Sequence, residues 1–280
     1  MVLLVTALMA EAVPLIEYFK LKKDMGIHAY AVYRNSDIAL IVSGVGKIRS
    51  AAALAYLCAL YHVTEKDILM NIGFCGSGSR KHPLGTLLLI NKITDMDTGK
   101  DYYPDVFCGR DFPKESLRCY SRAVREDDVS QGTDIFCDME SSGFIETAKK
   151  FVYAHNIVIL KIISDYLEPH YLNQELLKNY IREHVPMVES IINELKHLND
   201  STCEFSFTEE EKKAFNDICR NLHFSSSMEN MLLKEMKIAK LKGMEPLNIL
   251  RPFMEIKACS KAEGKKLFEE IKQRSKLENV

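Results

Sequence analysis

The chain has 280 residues, enough for one large domain or for one domain with a smaller appendage. Its hydrophobic fraction of 47% and charged fraction of 27% are those of an ordinary soluble globular protein. The net charge of -2 gives no electrostatic reason to expect nucleic acid or a membrane surface as a partner.

The first half of the chain alternates apolar runs with helical patterns. The run 2–9 has no basic flank and is soon followed by Glu11, so we expect a buried strand rather than a membrane span or a signal peptide. Apolar residues at helical spacing follow over 11–22, with Pro14 in the first turn. We then predict a hairpin over 28–44, a helix over 45–61, and buried strands over 67–79 and 85–95.

The second half continues the alternation. An amphipathic helix is predicted over 141–156, a buried strand over 157–165, and a long helix over 173–198 that Pro186 kinks or splits. Strands that alternate with helices in this way favour a three-layer α/β/α domain.

From about residue 200 the strand pattern stops, and we predict a domain over 1–199 and a helical C-terminal extension over 200–280. Thr208 and Glu211 form a capping box at the start of one helix. Further helices are predicted over 227–243, which stops at Gly243, and over 260–278. The pattern gives no role for the extension.

The cysteines do not have the spacing of a metal site. No pair forms a CxxC motif, and no histidine spacing completes a zinc site. We therefore expect no metal and reduced thiols in a cytoplasmic protein. The cysteines are Cys58, Cys75, Cys108, Cys119, Cys137, Cys203, Cys219 and Cys259.

Two glycine-rich breaks follow predicted strands, SGVGK (43–47) and NIGFCGSGS (71–79). Neither is a GxxxxGK[ST] loop or a strand-linked GxGxxG, so neither supports a nucleoside triphosphate or a dinucleotide cofactor, and we expect no cofactor. Each break alone is more typical of a tight turn than of a ligand cradle.

Acidic residues occupy two positions that are typical of ligand sites. Asp138, Met139 and Glu140 precede a predicted helix, and Ser164–Asp165 ends a buried strand. Acids before a helix can simply complement its dipole, and Asp165 can be a helix N-cap or a solvent-facing loop acid. A carboxylate at the end of a buried strand of an α/β sheet can also point into a cleft.

The order ALMAEA, SGVGK, NIGFCGSGS, LGTLLLINKITD, DMESSGF and ISD resembles the nucleoside phosphorylase and nucleosidase family. The resemblance covers roughly residues 1–198. It implies a central mixed, twisted sheet between helical layers, and cleavage of the N-glycosidic bond of a purine nucleoside.

The resemblance also assigns roles to individual residues. Glu140 would accept hydrogen bonds from the ribose hydroxyls, with Met139 packed under the sugar. Asp165 would protonate purine N7, or hydrogen-bond through it, with Ser164 orienting it. Phe74, Cys75 and Gly76 would belong to the loop that lines the substrate site.

Two departures from the family pattern concern phosphate. Where phosphorylases have an arginine and a small hydroxyl residue around this loop, the chain has Asn71 and Phe74, which supply no cation and no side-chain donor. Water is therefore favoured over phosphate as the nucleophile, or the site has lost turnover.

A third departure concerns the general base. The nucleosidases activate water with a glutamate near the end of the first strand. An ungapped alignment of MAEAV places Ala12 there, and a shift of one residue places Glu11 there. The sequence leaves both alignments open.

The sequence also leaves open which aromatic residue would lie over the base. Tyr120, Phe136 and Phe112 are candidates for the aromatic residue over the base. His170, in the loop after Asp165, is more typical of a structural or exposed histidine than of a catalytic one.

Two functions remain open. The first is an enzyme that cleaves a nucleoside, by hydrolysis rather than phosphorolysis, with Asp165 and Glu11 as catalytic residues. The second is a nucleoside-binding or regulatory protein with impaired catalysis, whose helical tail binds a partner. In either case the resemblance implies a homo-oligomer with a small-molecule nucleoside as its partner.

Overall fold

The structure is a computed structural model that describes residues 1–109, 112–129, 134–168, 173–201 and 207–277. The contacts divide the chain into two units, Met1–Ser201 and Thr202–Val280. His170 lies outside the described residues.

Ten strands in the described part of the first unit form one mixed sheet. The strands are β1 (Val2–Thr6), β2 (Lys22–Lys23), β3 (Ala31–Arg34), β4 (Ile38–Val42), β5 (Ile68–Ser77), β6 (Leu87–Asp95), β7 (Asp101–Tyr102), β8 (Lys114–Cys119), β9 (Phe136–Asp138) and β10 (Ile157–Asp165). The helices of this unit are α1 (Met9–Tyr18), α2 (Lys47–Leu60), α3 (Ser141–Ala148) and α4 (Gln174–Ser201).

Four strands form the centre of the sheet and run in the same direction. β1 pairs in parallel with β4 and β5, and β5 pairs in parallel with β10. These strands are almost continuously apolar because helices cover both faces of the sheet. Beyond them, β5 also pairs with β9, and the path continues through β8 and β6 back to β10.

Two apolar cores lie on the two faces. Leu3, Val5 and Ile159 belong to the core that includes residues of α2 and α3. Leu4 and Leu160, which alternate with them along the strands, belong to the core that includes residues of α1 and α4. The predicted three-layer α/β/α architecture with a mixed sheet is confirmed.

The sequence pattern missed four strands, of which β2 has only two residues and begins at the end of the stretch predicted as a helix. β7, β8 and β9 are short, and β8 alternates charged residues with Leu117 and Cys119 instead of forming an apolar run. The segment of Asp138, Met139 and Glu140 also differs from the expectation. Asp138 ends β9, and α3 begins only at Ser141, with Glu140 as its N-cap residue.

Pro186 neither ends nor splits its helix, because α4 runs from Gln174 to Ser201 as one helix. No helix among the described residues combines the length and the apolar character needed to cross a membrane.

The described part of the second unit consists of the helices α5 (Glu209–Asn221), α6 (Ser226–Leu241), α7 (Pro246–Leu250) and α8 (Lys261–Leu277). The predicted capping box is present, since Glu211 N–H donates to Thr208 Oγ1 and Thr208 N–H donates to Glu211. The short helix α7 was missed. These helices enclose their own apolar core, which includes Ile218, Met236 and Phe268.

Candidate active site

A cavity of about 370 Å³ opens at the carboxyl ends of the parallel strands. This volume is within the range of small-molecule sites. The edge is where ligands bind in open α/β sheets, because the loops that follow parallel strands converge there. All eight residues that the sequence selected line the cavity: Glu11, Phe74, Cys75, Gly76, Met139, Glu140, Ser164 and Asp165.

Glu11 points into this cavity, whereas Ala12 is fully buried in the core on the α1 side. One carboxylate oxygen, Oε2, accepts hydrogen bonds from the N–H groups of Ala7 (2.7 Å) and Leu8 (2.9 Å). The other, Oε1, accepts from the N–H of Phe74 at 3.1 Å. Of the two residues that the sequence left open, Glu11 lines the cavity and Ala12 does not.

Gly73 makes room for the Glu11 carboxylate. A Cβ atom at this position would lie 2.8 Å from Glu11 Oε1 and 3.2 Å from its Cδ. Gly73 is also the register partner of Lys161 on β10. Because paired residues of neighbouring strands point to the same face, the missing side chain lets the carboxylate approach Lys161.

Lys161 is a fully buried lysine on β10, with 1% of its surface exposed. Its Nζ forms an ion pair of 2.9 Å with Asp138, whose side chain is also buried. Burial alone would lower the pKa of Lys161, but Asp138, Glu140 and Glu11 outweigh it and hold the pKa above its ordinary value. The lysine is therefore a fixed positive charge that interacts with three carboxylates.

Burial raises the pKa of Glu11 to about 7, even though Lys161 and the backbone N–H groups favour the charged form. Burial also raises the pKa of Glu140, against the opposing charge of Lys161. A carboxylate that titrates near neutral pH can accept a proton from a bound water molecule and still be available in its ionised form.

Glu140 is held at the start of α3 by the glycine turn after β4. Gly46 N–H donates to Glu140 Oε1 at 2.8 Å, and the N–H of Met139 lies 3.4 Å from Oε2. Gly46 has a φ of 115°, a conformation that L side chains rarely adopt. The SGVGK break therefore orients this carboxylate by closing a turn and donating a backbone hydrogen bond to it.

Asp165 lies on the other side of the cavity, at the end of β10. Its Oδ1 accepts from the N–H of Leu167 at 2.9 Å, and its Oδ2 lies 2.6 Å from Ser164 Oγ. Burial raises the pKa of Asp165, and the two hydrogen bonds oppose this effect. Ser164 Oγ is also 3.3 Å from the carbonyl oxygen of Cys75. If the hydroxyl donates to that carbonyl, it can accept from a protonated Asp165.

Asn71 and Phe74, the two residues that depart from the phosphate-binding pattern, lie in different places. Asn71 is buried in the sheet, where its Nδ2 donates to the carbonyl of Val5 at 3.2 Å, and it does not line the cavity. Phe74 does line the cavity and packs partly against the core on the α1 side. Neither side chain offers a cation to an anion in the cavity.

None of the three aromatic residues that the sequence suggested for contact with the base lines the described cavity. Phe136 and Phe112 pack into the two cores of the sheet, and Tyr120 packs on a small cluster around Leu167. Arg122, Ala123 and Val124, which follow β8, are among the residues that line the cavity.

Sequence reasoning missed Lys161 and the part played by Asp138. The only signal was a lysine in the middle of the apolar strand VILKIISD, where a charge is rare unless it is paired. Its partner is 23 residues earlier in the chain, on a strand that the pattern did not predict.

No protein-family model matches the sequence, and no curated protein matches it. Solved structures do match. A 5'-methylthioadenosine/S-adenosylhomocysteine nucleosidase from S. pneumoniae shares 14% identity, with a TM-score of 0.56 over 68% of this chain and 97% of that chain. A 5'-methylthioadenosine nucleosidase from Arabidopsis thaliana shares 16% identity, with a TM-score of 0.56 over 69% and 95%.

A futalosine hydrolase from Helicobacter pylori shares 14% identity, with a TM-score of 0.53 over 69% of this chain and 97% of that chain. At identities this low, the likeness concerns the fold and not the substrate. Over about two thirds of its length, the chain has the fold of these nucleosidases.

Proposed function

We propose that the protein is a nucleosidase that hydrolyses the N-glycosidic bond of a purine nucleoside. The observation that carries the proposal is the position of Glu11, a buried carboxylate with a pKa of about 7 that shares one cavity with Glu140 and Asp165. The three acids supply the base, the sugar clamp and the acid that this reaction needs.

In the proposed reaction, the bond between C1′ and N9 breaks and its electron pair goes to the purine. Asp165 donates a proton to N7, so that the base leaves as a neutral molecule. Glu140 accepts hydrogen bonds from the ribose hydroxyls, and its charge stabilises the positive sugar. Water attacks C1′ and gives a proton to Glu11. The products are the free base and the free sugar.

The charges in the cavity support water over phosphate as the nucleophile. Five acidic residues line the cavity: Glu11, Asp138, Glu140, Asp165 and Glu168. Among the described lining residues the one cation is Arg122, and it is paired with Asp128 at 2.9 Å. An anionic nucleophile would enter a field of its own sign, whereas neutral water would not.

The test is to mix the protein with a panel of purine nucleosides, with and without phosphate, and to follow the free base by chromatography. We expect release without phosphate. Release that depends on phosphate would refute hydrolysis. If calorimetry shows binding but no nucleoside releases its base, the enzyme proposal is refuted and the regulatory alternative is favoured. We regard that alternative as the weaker candidate because Glu11 lines the cavity.

We also propose that the protein forms a homo-oligomer. Leu8 and Met9 at the start of α1 are 41% and 42% exposed, and Val45 and Ile48 at the start of α2 are 39% and 85% exposed. The two loops are joined, since Gly44 N–H donates to the carbonyl of Ala7. Sedimentation analysis of the wild type and of Ile48→Glu tests this proposal, and a monomeric wild type would refute it.

The cysteines in the described part of the chain are free thiols. They support our further proposal that the protein works in the reducing cytoplasm.

A further inference from the structure

The turn that follows β10 holds Leu167 in a rare backbone conformation. Its φ is 63°, in the left-handed region that leucine seldom adopts. Both of its backbone groups are engaged: the N–H donates to Asp165 Oδ1 at 2.9 Å, and the carbonyl accepts from Glu126 N–H at 3.2 Å. Such a conformation persists only where its surroundings fix it, and it is often found at ligand sites.

Leu167 lines the cavity beside Asp165. The side chain is 3% exposed and packs with Ile135 and Cys137. A Cβ atom on Gly76 would lie 2.7 Å from Leu167 Cδ2 and 3.4 Å from Asp165 Oδ1. Leu167 therefore covers Gly76 next to the carboxyl group that we assign to the departing base.

We propose that Leu167 is a specificity-determining residue, which limits the space beside N7 of the bound purine. The inference rests on the proposed function, because it takes Asp165 as the partner of N7. A purine at Asp165 lies against the Leu167 methyl groups and gains apolar contact from them. The 6-amino group and C8 are the two positions that flank N7. A nucleoside with a bulky group on one of them would clash with these methyl groups and would be excluded.

The test compares adenosine with N6-benzyladenosine and 8-methyladenosine, in the wild type, Leu167→Ala and Leu167→Gly. Affinity is measured by calorimetry and kcat/KM by release of free base. For each bulky nucleoside we take the ratio of its affinity to the affinity for adenosine. For at least one of the two, this ratio should be about tenfold or more higher in both variants than in the wild type. One methylene group in an apolar pocket already changes discrimination by about 10–200-fold.

The two variants separate the side chain from the backbone. Glycine adopts a positive φ without steric cost and alanine does not, but both lack the leucine methyl groups. Equal changes in both variants support the proposal. A change in Leu167→Ala alone would assign the effect to the turn and overturn it, as would unchanged ratios in both variants.

Ile135→Ala is the matched control. Ile135 is 2% exposed and belongs to the same small cluster as Leu167, but it does not line the cavity. Its ratios should equal those of the wild type, and a shift as large as that of Leu167→Ala would overturn the proposal. If no base is released by the wild type, hydrolysis fails, while the affinity ratios still decide the role of Leu167.

Discussion

Replacing Glu11 with glutamine removes one ionisable group and keeps the size of the side chain. Its pKa is about 7 in the folded protein, against 4.5 for an ordinary glutamate. At about 1.36 kcal/mol for each pKa unit, the folded protein prefers protonated Glu11 by about 3 kcal/mol. Because Glu11 is fully buried, solvent screening does not reduce this value.

The direction of the pH dependence follows from the raised pKa. The folded protein binds the proton of Glu11 more tightly than the unfolded chain does, so the stabilisation is fully present below about pH 4.5 and is lost as the pH rises through about 7. The free energy of unfolding of the wild type, minus that of Glu11→Gln, should therefore fall by about 3 kcal/mol between pH 4 and pH 8.

Urea unfolding of both proteins, followed by far-ultraviolet circular dichroism at several pH values, measures this difference. Glu168→Gln is the control, because it removes an exposed carboxylate that lines the same cavity and keeps Glu11. A difference that stays flat from about pH 5 to about pH 8 would refute a Glu11 that titrates near neutrality.

The same substitution tests the role of Glu11 as the base. In the wild type, kcat/KM should rise with pH around 7 as Glu11 ionises. In Glu11→Gln it should be about 10²–10⁴-fold lower and lose this rise. A variant that releases base at the wild-type rate would show that another group, or none, activates the water.

Three further substitutions separate the parts of the site. Gly73→Ala places a Cβ atom 2.8 Å from Glu11 Oε1, so it should lower kcat by roughly 10²-fold with little change in KM; an unchanged kcat would mean that the position of this carboxylate does not matter. Asp165→Asn should reduce purine release by about 10²–10⁴-fold while the circular dichroism spectrum stays the same, and full activity would refute the acid assignment. Glu140→Gln should lower kcat/KM for a ribonucleoside by roughly 10- to 100-fold, and by less for a 2′-deoxynucleoside, because it weakens a charge-assisted hydrogen bond; equal losses for both would argue against the ribose clamp.

The sequence predicted the parts of the fold whose signal is local. β1, β5 and β10 are apolar runs, and α2 and α4 are long helical patterns, so each could be recognised within its own segment. β9 could not, because it has three residues and exists only through its pairing with β5 and β8.

The same distinction applies to the candidate site. Glu140 and Asp165 belong to short sequence motifs that can be recognised on their own, so both could be predicted from the sequence. The direction of Glu11 depends on backbone N–H groups of Ala7, Leu8 and Phe74 and on the missing side chain of Gly73, 62 residues later. No pattern within one segment contains that information.

The buried charges connect the proposed base with the choice of nucleophile. Lys161 supplies one positive charge to Asp138, Glu140 and Glu11, so the fully ionised group would carry a net charge of -2 in a low-dielectric setting. Burial and the remaining negative charge both favour a proton on Glu11, and its pKa rises to about 7. The same negative field stabilises a positive sugar and repels phosphate. An added cation in the cavity should therefore favour phosphate and weaken Glu11 as a base, so these two properties are expected to change together.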